Sequence, residues 1–363
     1  MKPRVAAVVE QSWHRVPGGT ATSTVRTLDA LARRGIWDVV GVAAAHRRAP
    51  SPMAAPTVPV VHLPLGRRVL YETWHRFRQP PLGRRVGRVD IVHATGGVIP
   101  PSGGVPLVVT IHDLAFLHRP EHFTPHGVAF MTRGFELARR ESSMISVPSQ
   151  VTADDCVTHG VDADRLAVVP WGATPVAVSD ADRARVRAIH GLPEEFILWL
   201  GTAEPRKNLE TLVAAHGALT HDVPLVLAGP PGWGVDLDAL TVRPLIRHIG
   251  PVAPPDLPVL LDLAMVFVLP SLLEGFGMPV LEAMAQGTAV VTSAGTSTEE
   301  LVGPAGVVVD PIDAAALADA IDRLLADDER RHEVAEAGRA RAATMTWDHA
   351  AALTEAVYER ARA

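Results

Sequence analysis

Lysine is almost missing from this chain of 363 residues. Of its 34 basic residues only Lys2 and Lys207 are lysine, and the other 32 are arginine. A sequence so biased toward arginine would be expected to have lost any lysine that arginine could replace. Lys207 lies in the stretch GTAEPRKNLETLV at residues 201–213. Its retention there indicates a site that needs a compact ammonium group rather than a planar guanidinium.

Cysteine and long apolar runs are scarce as well. Cys156 is alone, so the chain can form no internal disulfide, as is typical of the reducing cytoplasm. A nucleophilic role for it is the less favoured alternative, because an unpaired cysteine usually behaves as a small buried hydrophobe. No apolar run reaches the roughly 18 residues that a membrane span needs. The opening MKPRVAAVVEQSW predicts a buried strand rather than a signal peptide. We therefore expect a cytoplasmic protein.

Two classes of function are disfavoured by further absences. No G-x-G-x-x-G motif follows a predicted strand, which argues against a nicotinamide-dependent dehydrogenase. The stretch Gly229–Gly234 comes nearest, and its two prolines spoil the turn. A formal net charge of −6 argues against nucleic acid binding.

Length and charge predict two domains with different partners. The chain exceeds one ordinary core, and 47% hydrophobic with 20% charged residues is a globular composition. Residues 1–175 carry 20 basic and 13 acidic residues, whereas residues 176–363 carry 14 and 27. The first part is therefore basic and the second strongly acidic.

Short apolar runs separated by segments of helical period predict two α/β domains with mostly parallel sheets. We expect an N-terminal domain at 1–175, a charged linker at 176–195, a second domain at 196–346, and a last helix at 347–363 that crosses back to the first domain. The thirteen predicted strands are Arg4–Val9, Val39–Ala44, Val58–Leu63, Val89–His93, Leu107–Ile111, Met144–Val147, Leu166–Val169, Phe196–Leu200, Leu225–Ala228, Arg247–Pro251, Met265–Leu269, Ala289–Thr292 and Val307–Val309.

Ligands of such sheets bind beyond the carboxyl ends of the strands, so polar residues at these ends are the candidate site residues. The pair Gly18 and Gly19 follows the first strand and leads into a helix that Thr20 or Thr22 could cap. Such a loop can bring backbone amides up to a phosphate or sugar, and a plain turn is the alternative interpretation.

His112 follows the fifth strand. Its imidazole could donate to a sugar hydroxyl or stabilise positive charge developing at a sugar carbon. The alternative is a structural histidine hydrogen-bonded to the neighbouring Asp113.

The stretch around Lys207 has the features of an anion site. Gly201 ends a predicted strand, Arg206 and Lys207 follow in a polar loop, and a helix begins at residues 208–210. Two cations beside a helix N-terminus combine side-chain charge with the backbone dipole. We therefore expect Lys207 to contact a diphosphate oxygen, and a surface lysine retained by chance is the alternative.

A glycine-rich loop at 271–282, SLLEGFGMPVLE, carries two glutamates. Glu274 lies in the loop, and Glu282 is expected on the first turn of the helix that Pro279 begins. The backbone amides of residues 276–280 would lie between them. An extended ligand with hydroxyls at each end and a diphosphate in the middle fits this spacing, which describes a sugar nucleotide. The loop candidates are Gly275, Phe276, Gly277 and Met278.

No metal site is predicted. His118, His122 and His126 recur every four residues, but Pro120 and Pro125 break any helix that could align them. Three D-x-D pairs begin at Asp162, Asp180 and Asp236, and none follows a convincing strand end.

Several of these stretches together resemble family 4 of the retaining, nucleotide-sugar-dependent glycosyltransferases, and within it a bacterial mannosyltransferase-like group. The resemblance spans nearly the whole chain. It is carried by the two glutamates with seven residues between them and by GTAEPRKN, THDLAFLHRPEHF, VPSQVTADD and GTAVVTSAGTSTEELVGPAGVVVDP.

The resemblance implies a GT-B fold, in which two Rossmann-like domains face each other across a cleft. It implies that Glu274 holds donor-sugar hydroxyls and Glu282 the ribose, while Arg206 and Lys207 bind the diphosphate. Gly18 and Gly19 would close over the diphosphate. His112 would lie beside the transferred sugar, and Val252, in the strand end 250–252, beside the base. One departure is Thr202, where many members have arginine.

The implied activity is transfer of a hexose, best interpreted as mannose from GDP-mannose, to a glycan or lipid-linked acceptor of the cell surface, without metal or cofactor. Alternatives are a UDP-sugar donor, a phosphorylase or epimerase, and a non-catalytic sugar-nucleotide-binding protein.

A basic segment at residues 66–88 interleaves seven arginines with Leu70, Tyr71, Trp74 and Phe77. It predicts peripheral contact with an anionic membrane, at the inner face of the plasma membrane, and an ordinary solvated surface is the alternative.

Overall fold

The computed structural model describes residues 2–14 and 18–363. The chain forms two compact units. One comprises Met1–Gly172 together with Trp347–Ala363, and the other comprises Ala173–Thr346. Each unit is built on its own parallel β-sheet, as the apolar strand pattern predicted.

The first unit alternates strands and helices along the described residues. Its strands are β1 (Arg4–Val8), β2 (Asp38–Ala43), β3 (Val60–His62), β4 (Ile91–Ala94), β5 (Leu107–Thr110), β6 (Met144–Val147) and β7 (Leu166–Val168). Its helices up to residue 172 are α1 (Gly18–Arg34), α2 (Arg67–Phe77), α3 (Gly83–Val86), α4 (Ala115–His118), α5 (Pro125–Glu141) and α6 (Gln150–Thr158).

The sheet of the first unit has the order β3-β2-β1-β4-β5-β6-β7, with parallel pairing throughout. Strands β4 and β6 are buried along their whole length and β1 in all but its first residue, because helices cover both faces of a parallel sheet. The apolar core includes Trp74 of α2, Phe135 of α5 and Cys156 of α6. The chain leaves β1 in one direction and returns to β4 on its other side, so the order reverses between β1 and β4.

The second unit repeats the plan. Its helices are α7 (Asp180–His190), α8 (Leu209–His216), α9 (Leu237–Thr241), α10 (Leu257–Leu263), α11 (Met278–Gln286), α12 (Ser297–Val302), α13 (Ala314–Ala326) and α14 (Asp328–Ala342). Its strands are β8 (Ile197–Leu200), β9 (Leu225–Ala228), β10 (Ile246–Gly250), β11 (Val266–Leu269), β12 (Ala289–Ser293) and β13 (Val307–Val309). The order is β10-β9-β8-β11-β12-β13, so it reverses between β8 and β11. All thirteen predicted strand positions are confirmed.

The segment predicted as a linker, 176–195, instead contains helix α7 and belongs to the second unit. Ser179 and Asp182 form a reciprocal capping box at its start. Val186 is its one buried residue, and Arg183 pairs with Asp262 of α10 at 2.7 Å. The sequence pattern missed this helix because ion pairs rather than a broad apolar face attach it to the unit.

The last helix, α15 (Trp347–Arg362), packs on the first unit, as predicted. It lies along α1, where Arg34 pairs with Glu355 at 2.9 Å and with Asp348 at 3.1 Å. Tyr358 of this helix is completely buried. None of the described helices has the length and apolar character that a membrane crossing requires.

Three of the four apolar side chains predicted to contact a membrane at residues 66–88 lie in or against the core instead. Leu70 and Trp74 are buried in the core, and Tyr71 packs against it and stacks on Phe130 at 5.7 Å. Only Phe77 of the four predicted apolar contacts points outward, with 70% of its surface exposed. The side chains at helical spacing serve the interior of the unit.

Candidate active site

The carboxyl edge of the second sheet brings together most of the predicted site residues. Strand order reverses between β8 and β11, and open parallel sheets form their ligand crevices at such a reversal. The loop after β8 carries Arg206 and Lys207, and the loop after β11 carries Glu274. Residues separated by almost seventy positions in sequence therefore meet.

Backbone contacts hold these two loops in register. Gly201 donates its amide to Ala228 at 3.0 Å, which keeps the start of the β8 loop against β9. Residues Pro205–Lys207 then form a single 3-10 turn, and the carbonyl of Arg206 accepts from the amide of Leu272 at 2.8 Å. The Leu272 contact ties the β8 loop directly to the β11 loop.

Asn208, which follows this turn, holds it in place through side-chain hydrogen bonds. It was not among the site residues predicted from the sequence. Its backbone is left-handed (φ 56°), which asparagine tolerates better than most residues. Its side-chain nitrogen Nδ2 donates to the carbonyls of Pro270 at 3.0 Å and Pro311 at 2.6 Å. Asn208 therefore joins three loops at the same sheet edge.

The charged groups of the two loops form one compact cluster. Lys207 Nζ donates to Glu274 Oε1 at 2.5 Å, and Arg206 Nη1 lies 3.2 Å from Glu274 Oε2. Arg206 Nε also donates to Glu204 at 2.9 Å. We name Glu204, Arg206, Lys207 and Glu274 the diphosphate-loop cluster. Its formal charges cancel, which the sequence reasoning missed because it counted the two cations and left out Glu204.

Burial and charge shift the protonation of this cluster. Only 6% of Lys207 and 9% of Glu274 are exposed. Burial alone would raise the pKa of Glu274, but Lys207 and Arg206 outweigh it and lower that pKa to about 2. Burial lowers the pKa of Lys207 from its ordinary value, while the charge of Glu274 acts in the opposite direction. Glu274 is therefore ionised at neutral pH.

Lys207→Ala and Glu274→Ala each remove one member of this buried pair, so we expect each variant to lose transfer and to melt at a lower temperature. Removing either side chain leaves its partner with less compensation in a buried setting, which costs about 3 kcal/mol in comparable pairs. Both effects are therefore expected together.

The loop and helix after β11 are close to the prediction, with two differences. Helix α11 begins at Met278 rather than at Pro279, and Glu282 is its fifth residue, half-buried on the second turn. Val280 donates its amide to Gly277 at 2.9 Å, and Pro279 has none, so the expected run of free amides over 276–280 does not include those two positions. Gly275, Phe276, Gly277 and Met278 are all buried at this sheet edge.

Val252 is half-buried and lies two residues beyond the end of β10, which is an edge strand of the sheet. Gly250 before it has φ +73° and accepts the amide of Gly229 at 2.9 Å. The proposed base-contacting strand end is therefore two strands away from β8.

His112 lies at the carboxyl end of β5 in the first unit. Its Nε2 bonds the carbonyl of Thr95 at 2.8 Å, so Nε2 carries the proton and Nδ1 is an acceptor. This corrects the sequence interpretation that the ring donates to a sugar hydroxyl. The alternative bond to Asp113 is also wrong, because Asp113 accepts from the amide of Ala115 at 3.0 Å. Burial lowers the pKa of His112, and Asp113 opposes this.

His112 also lines a cavity of the first unit. Its Nδ1 is buried and has no partner among the residues that the structure describes. The ring lies 5.3 Å from that of Trp171 and lines a cavity of about 240 Å³. A buried imidazole acceptor without a partner is unfavourable unless a ligand supplies a donor.

Gly18 and Gly19 lie exposed at the start of α1, and Gly18 has φ +62°. Helix α1 begins at Gly18 itself, so Thr20 and Thr22 lie inside the helix and neither is its cap. The Thr22 hydroxyl instead donates to the carbonyl of Gly18 at 3.3 Å. Pro17, the residue before the glycine pair, lies outside the described residues.

The candidate metal groups have structural roles in the described residues. Asp162, Asp236 and the Ser179–Asp182 pair accept backbone amides at helix starts. His118 lies beside Asp155 and His159 rather than His122 and His126, with ligand atoms within 4.8 Å of one another. His118 Nε2 bonds Asp155 directly at 2.8 Å.

Comparison with known proteins agrees with this geometry. A family model for Glycosyl transferases group 1 matches residues 182–341, and one for Glycosyltransferase Family 4 matches residues 17–175. The chain is 32% identical to the O-antigen chain mannosyltransferase B of Escherichia coli over 69% of its length and 70% of the relative. It is 30% identical to a D-inositol 3-phosphate glycosyltransferase of a Nocardioides species over 77% and 69%.

The fold has solved counterparts. Anabaena HepE, crystallised with UDP and glucose, superposes with a TM-score of 0.73 over 98% of both chains, although only 19% of residues are identical. The motifs resembling family 4, the two parallel-sheet units and these matches lead to one conclusion. The chain belongs to the family 4 glycosyltransferases and has the GT-B fold.

Proposed function

We propose that the protein is a retaining transferase that moves mannose from GDP-mannose to a glycan or lipid-linked acceptor in the synthesis of cell-surface polysaccharide. The observation that carries the donor part is the diphosphate-loop cluster at the strand reversal of the second sheet. Lys207 donates only to Glu274 among the described residues, which leaves two of its three ammonium N–H groups for a ligand.

The same cluster explains how a diphosphate would displace internal pairing. Phosphate oxygens would accept from Lys207 and Arg206, and Glu274 would turn from ion-pair partner to acceptor of sugar hydroxyls. Glu282 on α11 would hold the ribose, and the start of α11 would face the negative charge. Charge developing on the leaving diphosphate is then met without a metal ion.

In this proposal, sugar transfer depends on how the protein positions donor and acceptor more than on acid–base residues. The acceptor hydroxyl attacks on the face that the diphosphate leaves, and a phosphate oxygen takes its proton. His112 would accept a hydroxyl hydrogen of the transferred sugar at Nδ1 and so orient it. Glu274 is assigned to hydroxyls of the donor sugar, so it does not act as an inverting base.

The choice of mannose is supported by the E. coli relative, which is itself a mannosyltransferase by name. A UDP-sugar donor is the second candidate. A phosphorylase would be active with inorganic phosphate and no nucleotide, and a non-catalytic binder would bind donor without turnover.

We place the enzyme in the cytoplasm. Contact with an anionic membrane stays a prediction, and it now depends on the exposed Phe77 and the arginines around it.

A thermal-shift screen over nucleotide sugars tests the donor. A ligand at about 100 times its dissociation constant should add about 2.7 kcal/mol of stability. We expect GDP-mannose to give the largest shift and proton NMR to show an α product from the α donor. A shift with UDP-sugars alone would contradict the mannosyl assignment. A β product formed first would contradict retention.

A further inference from the structure

A second group of polar residues lies at the carboxyl edge of the first sheet, away from His112. It forms an open recess of about 510 Å³, which we name the Trp13 recess. Its walls include Trp13, His14, His46, Arg47 and Arg48. These residues follow β1 and β2, so they occupy the edge of the sheet at which α/β folds bind ligands.

A buried carboxylate organises this recess. Glu10 is 1% exposed, and its Oε2 accepts the amide of Ala44 at 2.7 Å. Its Oε1 lies 2.8 Å from His46 Nε2. A buried charge is retained only with such partners, and here it fixes the end of β2 and the His46 ring in one arrangement.

The recess has a rigid aromatic wall. The rings of Trp13 and His46 stack at 4.8 Å with an interplanar angle of 6°, and His62 meets Trp13 edge-on at 5.4 Å. Trp13 Nε1 donates to the carbonyl of Arg48 at 2.9 Å. An ordered indole offers a large amphipathic surface on which the C–H face of a sugar ring can pack.

The charge that the recess exposes is positive. The side chains of Arg47 and Arg48 are exposed, and neither has an ion-pair or hydrogen-bond partner among the described residues. The side chain of Arg67, at the start of α2, is half-buried and also lacks such a partner there. Arg67 is near enough to His14 to contribute, after burial, to lowering its pKa. In contrast, Arg34 and Arg78 of the same unit are paired with carboxylates.

We propose that the Trp13 recess binds an anionic saccharide, a sugar that carries a phosphate or a carboxylate. The sugar ring packs on Trp13, and the anionic group contacts Arg47 and Arg48, with Arg67 nearby. Guanidinium groups match both anions through paired N–H donors. That this saccharide is the acceptor rests on the proposed transferase function; the binding itself does not.

Calorimetry on the full chain without nucleotide sugar tests the recess. The probes are D-mannose 6-phosphate, D-glucuronate, neutral D-mannose and inorganic phosphate. We expect the first two to bind at least about tenfold more tightly than the last two, and to weaken with added salt. Equal affinity for neutral mannose would overturn the anionic part. Equal affinity for inorganic phosphate would overturn the saccharide part.

Variants of the recess residues test where the anionic saccharide binds. Arg47→Gln combined with Arg48→Gln should weaken mannose 6-phosphate by about tenfold or more, because exposed charged groups are exchanged without loss of buried contacts. Trp13→Ala should weaken both anionic saccharides. Arg33→Gln is the matched control: Arg33 is exposed at the end of α1, on the opposite edge of the sheet, and the variant should bind like wild type. Unchanged binding in the double variant would overturn the assignment.

The two proposals fail in different ways. A wild-type protein that binds nucleotide sugar but none of the anionic saccharides contradicts the recess and leaves the transferase function standing. A protein that binds the anionic saccharides but neither binds nor turns over any nucleotide sugar supports the recess and contradicts the proposed function.

Discussion

Lys207 shows how much one residue depends on the space around it. Its ammonium group donates to Glu274, whose other carboxylate oxygen contacts Arg206. Only 6% of Lys207 is exposed, and its Cε would lie 3.7 Å from a Cβ placed at Gly201. Lysine brings a point charge into this space, whereas arginine brings a wider planar group. The compositional bias against lysine is therefore overcome at a buried, crowded position.

Lys207→Arg is predicted to fail although it keeps the charge. Forcing a larger head group into a packed site costs about 1–3 kcal/mol, and the displaced guanidinium no longer aligns with Glu274. Transfer should fall at least about tenfold and the melting temperature should drop, measured by donor turnover and thermal unfolding. Lys2→Arg, at the other lysine, is exposed and should change neither. Wild-type turnover in Lys207→Arg would refute the need for lysine.

The start of helix α11 is the element on which we expect the proposed donor binding to depend most. Its cap, Gly277, has φ +99°, and a Cβ there would lie 2.5 Å from Thr298 Cγ2. Thr298 is fully buried and its hydroxyl bonds those of Thr292 and Thr296 at 2.7 Å. Thr298 therefore has little freedom to move aside.

Gly277→Ala should consequently destabilise the second unit by about 2–4 kcal/mol, from the left-handed backbone and the clash together. It should also weaken donor binding, because the first turn of α11 must shift. Gly295→Ala is the matched control: Gly295 has φ +71° at the same sheet edge, but nothing lies within 4 Å of its Cβ position. Only the backbone cost, about 1 kcal/mol, is expected there. If denaturant unfolding shows that the two variants lose the same free energy of unfolding, the predicted clash at Gly277 is refuted.

At the scale of the whole molecule, α15 closes the first unit through a buried histidine. His93 of β4 bonds the Tyr358 hydroxyl at 2.8 Å through Nδ1 and the Thr110 hydroxyl at 2.9 Å through Nε2. Complete burial lowers the pKa of His93 to about 3. The end of the chain is therefore linked to β5, two residues before His112.

This burial predicts acid sensitivity. His93 stays neutral in the folded protein, whereas the same side chain becomes protonated in the unfolded chain as the pH falls. Its contribution to stability is therefore complete above pH 6.5 and is lost as the pH falls toward 3. Between pH 7 and pH 5 the loss from His93 should be about 2 kcal/mol. His93→Gln should lessen the fall in unfolding free energy by that amount. Tyr358→Phe keeps His93 buried and should show the same fall in unfolding free energy as wild type. If the unfolding free energies of wild type and His93→Gln depend on pH in the same way, the assignment to His93 is contradicted.

The sequence was informative where local pattern and burial coincide. Every strand position could be read from apolar runs, because strands covered on both faces must be apolar throughout. Helix α7 could not, since its attachment is an ion pair from Arg183 to a residue 79 positions away. The membrane face of α2 was misjudged for a related reason: helical spacing of Leu70 and Trp74 cannot tell a lipid from the protein core.

By itself, the sequence determined the family, the two parallel α/β units and the identity of most candidate site residues, because these depend on motifs and on periodicity along the chain. Only the tertiary structure decided the pairing of Lys207 with Glu274, the role of Glu204, the acceptor state of His112 Nδ1 and the recess around Trp13. Each of these is a matter of distance and burial between residues far apart in sequence. Burial sets how strongly charges act on each other, and it exists only once the chain is folded.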